Sequence, residues 1–298
     1  MGIVAAAQLA EGRIPFIVGD ETFETFYKLA GDMANSPYPP CVVLHGGPGI
    51  SHDYLIPMAD LAADPSSIPI IFYDQLGNGR STVLTDKATS FWTTDLLINE
   101  LENLLTHFGI SDRFNLIGHS WGAILASEFI IRRQPKGLRR LVLTNGLVSA
   151  PIWSGVMREL RSRLPDDVQA ALRTHEAAGT TDSTEYQAAE DVFYATYACR
   201  LKPFPPEIYN DTNLIFRQKN EGLEDTWDIR DKLHLMRHVP ALLINGEYDY
   251  MTDEVCGPWF WAMDKIKWYK FSNSSHMPWW EEREKYMEVV GGFLTRAE

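Results

Sequence analysis

Cysteine is scarce in this 298-residue chain. Cys41, Cys199 and Cys256 are odd in number, far apart and without any C-x-x-C spacing, which excludes a disulfide framework and a thiolate zinc site. Positive charge is also in deficit: 27 Lys and Arg stand against 40 Asp and Glu, a formal net charge of -13. The pairs Arg132-Arg133 and Arg139-Arg140 read as solvated faces rather than a basic stripe, so a nucleic-acid partner is not expected. No apolar run approaches the ~18 residues of a membrane span. The segment from Met1 to Ala7 lacks the basic flank and long apolar core of a secretory signal, and Ala6 stands where a myristoylation signal needs Ser or Thr. Together these absences predict a cytosolic protein that does not engage membranes.

What is present is ordinary for a globular protein, with 45% hydrophobic and 22% charged residues, and the length holds one large α/β domain or two modest ones. Arg13 to Val18 and Thr22 to Leu29 flank Gly19-Asp20 and predict a hairpin of edge strands. Short apolar runs follow at Cys41 to Leu44, Ile68 to Tyr73, Phe114 to Ile117, Leu141 to Leu143 and Ala241 to Ile244, and Ile266 to Phe271 is the last strand candidate. Runs of this length, separated by helix-length segments, are what a buried parallel sheet requires. Thr93 to Phe108 carries leucines at spacings of three and four before Gly109, which predicts a helix packed on that sheet. From about residue 151 to 231 strand signals give way to helical ones, interrupted by Pro203-Phe204-Pro205-Pro206. The expected architecture is a doubly wound, mostly parallel α/β domain of residues 1–150 and 232–298, carrying an inserted helical cap over 151–231.

The strongest chemical signal is Gly118-His119-Ser120-Trp121-Gly122, set between a strand and a helix. A G-x-S-x-G turn there is a nucleophile elbow, in which the glycines permit a strained turn that lifts the serine hydroxyl clear of the sheet. Ser120 is therefore the expected nucleophile of an α/β-hydrolase fold. Acyl transfer also needs donors aimed at the developing oxyanion. His45-Gly46-Gly47-Pro48-Gly49 after the first parallel strand suits that purpose, with the N–H groups of Gly47 and Trp121 as the donors.

Serine needs an imidazole to take its proton and a carboxylate to orient that imidazole. His276, in Ser274-Ser275-His276-Met277-Pro278 after the last strand, fits the Ser, Asp, His order of this fold. His45 and His119 belong to the two turns, while His107, His175, His234 and His238 sit on helices, in the cap or on the wrong side of the acid. Asp249 closes Asn245-Gly246-Glu247-Tyr248-Asp249 at the carboxyl end of a strand and is preferred over Glu247 and Asp253. The string Asp74 to Ser81, Asp-Gln-Leu-Gly-Asn-Gly-Arg-Ser, reads as an architectural loop in which Asp74 can pair with Arg80. Trp279-Trp280, Trp92, Trp153 and Trp227 can equally line a pocket or fill the core.

With five strings in order, at His45 to Gly49, Asp74 to Ser81, Gly118 to Gly122, Gly246 to Asp249 and Ser274 to Pro278, the sequence resembles the proline iminopeptidase family of α/β hydrolases. Within that family it looks close to the L-amino-acid amidase branch, and the resemblance extends into the cap at His175 to Thr181. The resemblance implies a cofactor-free, metal-free serine hydrolase of small-molecule or short-peptide substrates, cleaving an N-terminal proline or other small residue from a peptide, amide or arylamide. It also implies carboxylates for the substrate ammonium. Here the pattern departs: Tyr250 follows Asp249 where relatives tend to carry an acid, and Arg217 or Gln218 stands near another expected acid, with Glu221 or Glu224 as substitutes. Arg217, Glu221 and Tyr250 are thus the candidate substrate-binding residues. A hydrolase of a neutral ester, lactone or amide is the alternative, and a non-hydrolytic binding protein on the same fold a third.

Overall fold

The structure, a computed structural model, describes residues 9–209 and 226–297. Arg217, Gln218, Glu221 and Glu224 lie outside the described residues. Eight strands form one sheet: β1 (Ala10–Val18), β2 (Glu21–Ala30), β3 (Cys41–Leu44), β4 (Ile70–Tyr73), β5 (Phe114–His119), β6 (Leu138–Thr144), β7 (Ala241–Gly246) and β8 (Ile266–Phe271). Their order is β1-β2-β4-β3-β5-β6-β7-β8. The hairpin forms as expected around Gly19, whose φ of +61° suits glycine. Of the hairpin's two strands only β1 lies at the edge of the sheet, however. β2 pairs antiparallel with β4 through Tyr27 to Ala30, because its second half, Thr25–Ala30, has no exposed residue and needs cover on both sides.

From β4 to β8 the pairing is parallel throughout. β3, β4, β5 and β7 are buried end to end, which explains why they appear in the sequence as mainly apolar runs. Alternate side chains serve opposite faces. Val42, Leu44, Leu116, Leu141 and Leu143 join one core with the helices α1 (Thr94–His107) and α2 (Trp121–Arg133). Cys41, Val43, Ile117 and Val142 join the other, built with the 3-10 segment Asp53–Ala62 and a C-terminal helix. Helix α1 begins as its sequence predicts, with the Thr93 hydroxyl accepting the Leu96 N–H at 3.1 Å.

Three helices, α3 (Ala150–Ser162), α4 (Asp166–Ala178) and α5 (Thr184–Tyr197), lie between β6 and β7 in the chain. The two crossings that bound this region are zipped together: Ala150 donates to the Trp227 carbonyl at 2.8 Å, and Ile229 to the Val148 carbonyl at 3.0 Å. Helix α6 (Asp253–Ala262) follows β7, and α7 (Pro278–Glu281) and α8 (Arg283–Leu294) end the chain. Among the described residues no helix is long and apolar enough to cross a membrane.

The loop after β4 is a polar knot inside the core. Asp74 accepts the backbone N–H and ring Nδ1–H of His52, at 2.9 and 2.6 Å, and the Arg80 N–H at 2.9 Å. The Arg80 guanidinium lies 3.0 Å from Asp53 and 4.0 Å from Asp74, so the expected Asp74–Arg80 pairing runs mainly through the backbone. Burial pushes the Asp74 carboxyl up, but the bonds from His52 and Arg80 outweigh it and leave it at about 2.

Glu100 of α1 is buried too, accepting from the Leu76 N–H and the Thr25 hydroxyl. Burial raises its carboxyl from 4.5 to about 7. The folded protein therefore holds this proton more tightly than the unfolded chain. The resulting stability is complete below about pH 4.5 and lost as pH rises through about 7. Glu100→Gln should flatten the dependence of Tm on pH across that window, and a variant that keeps the native slope would contradict this assignment.

Candidate active site

The site is built at the carboxyl ends of β3, β5 and β7 and in the loop after β8. Ser120 sits between β5 and α2 with φ 52° and ψ -116°, a conformation that residues with a Cβ rarely adopt. Backbone packing holds it there. A Cβ on Gly122 would run into the Leu44 carbonyl, and one on Gly118 into the backbone of Gly122 and Ala123. The elbow's glycines thus serve close approach, whereas the positive φ falls on the serine itself.

Asp249 follows β7 and is 3% exposed. Its Oδ1 accepts the Nδ1–H of His276 at 2.8 Å and the Met251 N–H at 2.9 Å. With Nδ1 carrying the proton, the Nε2 of His276 keeps its lone pair. The rival acids turn elsewhere: Glu247 and Asp253 flank Lys270, at 2.8 and 3.1 Å. No hydrogen bond joins Ser120 and His276 among the described residues. The His276 loop is tied down on its outer side, where Glu281 accepts the N–H and hydroxyl of Ser275 and the Arg200 N–H, while His276 N–H donates to the Ala198 carbonyl at 3.1 Å. Burial raises the Glu281 carboxyl despite these donors.

Gly47 has φ +111° and precedes a cis Pro48, and Trp121 is the first residue of α2, so no earlier helical turn can accept its N–H. Gln75 fastens both segments together. Its side-chain amide donates to the His45 carbonyl at 3.2 Å, and its carbonyl accepts the Trp121 indole N–H at 2.9 Å. His45 is buried, accepts the Gln75 N–H on Nε2 at 3.0 Å, and is pushed by burial down to about 4, so it stays neutral.

Tyr250 stacks on His276, with ring centroids 4.2 Å apart at 29°. Beyond it opens a cavity of about 190 Å³ among Trp153, Met157, Arg161, Leu172, Glu190, Phe193, Tyr194 and Tyr250. The Nε1 of Trp153 and the Nε of Arg161 are buried without hydrogen-bond partners among the described residues. A larger, more open groove of about 330 Å³ runs past Glu159, Arg163 and Lys270, and neither Ser120, Asp249 nor His276 lines it. Among the described residues no group of three or more His, Cys, Asp or Glu side chains is placed to hold a metal ion.

Residues 39–283 match the family model of the alpha/beta hydrolase fold. A proline iminopeptidase of Saccharolobus solfataricus is 35% identical, over 94% of this chain and 91% of its own. The chain belongs to the proline iminopeptidase family of α/β hydrolases. The crystal structure of VinJ superposes with a TM-score of 0.88 at 38% identity, covering 96% of this chain and 98% of that one. The crystal structure of proline iminopeptidase from Mycobacterium smegmatis gives 0.83 at 32%, covering 95% and 97%. This chain is therefore a hydrolase of that family.

Several residues that shape the hydrolase site escape inspection of the sequence. His52 forms a second, fully buried His–Asp pair with Asp74, and Glu190 reaches the cavity from α5. Asn145 is the closest partner missed: it holds φ 51° after β6, and its amide donates to Asp249 Oδ2 and, at 3.2 Å, to the Ser275 carbonyl. An Asn-Gly pair after a strand is the signal that points to it. Trp279 and Trp280, by contrast, are core and near-core, both donating to the Tyr54 carbonyl at 2.8 and 2.7 Å. Asn145→Ala leaves a carboxylate oxygen and a carbonyl unpaired in the interior, which costs about 1–3 kcal/mol. Urea unfolding should show that loss, and a variant as stable as the native protein would rule out this role for Asn145.

Proposed function

We propose that this hydrolase removes a small N-terminal residue, proline above all, from a short peptide, amide or arylamide, through an acyl-enzyme on Ser120. In this reading His276 Nε2 takes the proton of Ser120 as its hydroxyl attacks the carbonyl, and Asp249 holds the imidazole in the Nδ1–H tautomer. The N–H groups of Gly47 and Trp121 receive the oxyanion. His276 then passes its proton to the leaving amine and activates the water that releases the product.

The observation that carries the substrate reading is the cavity behind Tyr250. It is small, walled by aromatic and apolar side chains, and carries one carboxylate, Glu190, on α5. A substrate ammonium shut away from water needs such a partner. Glu190 supplies it from the cap in place of an acid after Asp249, where Tyr250 stands, while the Trp153 and Arg161 donors suit a neighbouring carbonyl oxygen. The zipped crossing at 148–150 and 227–229 supports treating 151–231 as an inserted cap over the domain of 1–150 and 232–298. Buried, unpaired thiols at Cys41, Cys199 and Cys256 fit work in the reducing cytoplasm.

The test compares kcat/KM for prolyl and alanyl arylamides, their N-acetylated forms and a simple aryl ester. Free amines should be strongly preferred, and Ser120→Ala should lose about 10³-fold or more. Glu190→Gln should cost free-amine substrates about tenfold or more while leaving acetylated ones unchanged. Activity confined to the ester or the blocked amides would overturn the amine-directed reading in favour of a neutral ester, lactone or amide.

A further inference from the structure

The Tyr54 hydroxyl lies at the meeting point of three loops. It accepts the Gly46 N–H at 2.6 Å and lies 2.6 Å from Nδ1 of His119, whose Nε2 lies 3.1 Å from the His276 carbonyl oxygen. The proton positions follow by elimination. A carbonyl can only accept, so His119 Nε2 carries the ring proton; Nδ1 must then accept from the Tyr54 hydroxyl, leaving the Tyr54 oxygen to accept from Gly46. Burial pushes the Tyr54 phenol up and the His119 imidazole well below its ordinary range, so both stay neutral and the order of donors does not change with pH near neutrality. The tyrosine is itself pinned, since its backbone carbonyl accepts the indole N–H groups of Trp279 and Trp280.

A Cβ on Gly46 would stand 2.8 Å from the Tyr54 hydroxyl, 3.0 Å from His119 Nδ1 and 3.1 Å from the Ser120 Cβ. The Gly46 peptide therefore rests directly on the elbow, one residue before the Gly47 N–H.

We infer that Tyr54 is a positioning residue for the reaction: its hydroxyl, relayed through His119, sets the Gly46–Gly47 turn in register with Ser120 and the His276 loop. The inference rests on the proposed roles of Ser120, His276 and Gly47. It differs in kind from the bonds of Glu281 and Ala198, which hold the His276 loop from outside but do not reach the glycine turn. Its mark is a loss in the transition state rather than in substrate binding, because a displaced oxyanion donor misses only the tetrahedral species.

In the full chain, Tyr54→Phe should lower kcat on the preferred arylamide by about 10- to 100-fold with KM within about twofold. Affinity for a boronate that forms a tetrahedral adduct on serine should fall by the same factor as kcat/KM, while a competitive amine product keeps its Ki. At His119, Gln can still accept from Tyr54 and donate to His276, so His119→Gln should recover most of the kcat that His119→Leu loses. This comparison decides the matter even if Tyr54→Phe does not fold. A folded Tyr54→Phe with native kcat and boronate affinity, or Gln and Leu at position 119 equally impaired, overturns the inference. Native turnover in Ser120→Ala would instead overturn the underlying mechanism.

Discussion

The left-handed backbone of Ser120 is the constraint to which the rest of the molecule conforms. A residue with a Cβ held at φ 52° costs on the order of 1–3 kcal/mol, and it persists only where its surroundings leave no alternative. Here they are β3, β5 and α2, packed backbone against backbone through Gly118 and Gly122. That closeness requires fully buried strands on either side, which in turn requires helices on both faces of the sheet. The two apolar cores, divided by alternating side chains of β3, β5 and β6, supply the rigidity that holds the strained turn.

Around this turn the interior is polar, yet its groups are largely paired. Asp74 gathers His52 and Arg80, Glu100 gathers Leu76 and Thr25, and Gln75 bridges His45 and Trp121. In a low-dielectric interior each such bond is strong and each unpaired partner costly, so the network fixes loop positions that apolar packing alone would leave loose. Burial acts on Asp74, His45 and Glu100 with different outcomes. Asp74 ends low because its donors outweigh burial, while His45 stays neutral and Glu100 rises toward neutrality because burial prevails. The site is thus surrounded by groups whose charge states are set by their surroundings.

The region between β6 and β7 contributes to the site through contact as well as cover. Ala198 and Arg200, just past α5, bond to His276 and to Glu281, so the end of that helix and the His276 loop share one set of hydrogen bonds. Tyr250 joins the same surfaces, stacked on His276 at one side and 6.1 Å from the Phe193 ring at the other. The shape of the cavity and the setting of the imidazole are therefore coupled.

Local pattern determined much of this protein by itself. Strand runs, the Gly19 hairpin, the Thr93 cap of α1 and the strings holding Ser120, Asp249 and His276 depend on spacing and residue type within a few positions. That is why they are legible without a fold, and why five strings in order suffice to name the family. The tertiary structure alone decided the rest. That β2 lies inside the sheet, that Asn145 meets Asp249 across 104 positions, that Tyr54 meets His119 across 65 and that Glu190 faces the Tyr250 cavity are all long-range facts. Asn, Tyr, His and Glu occur throughout any soluble chain, and a single one carries no local signature of its partner. Only the assembly of the sheet, which brings the carboxyl ends of β3, β5, β6 and β7 to one side, selects which of them meet.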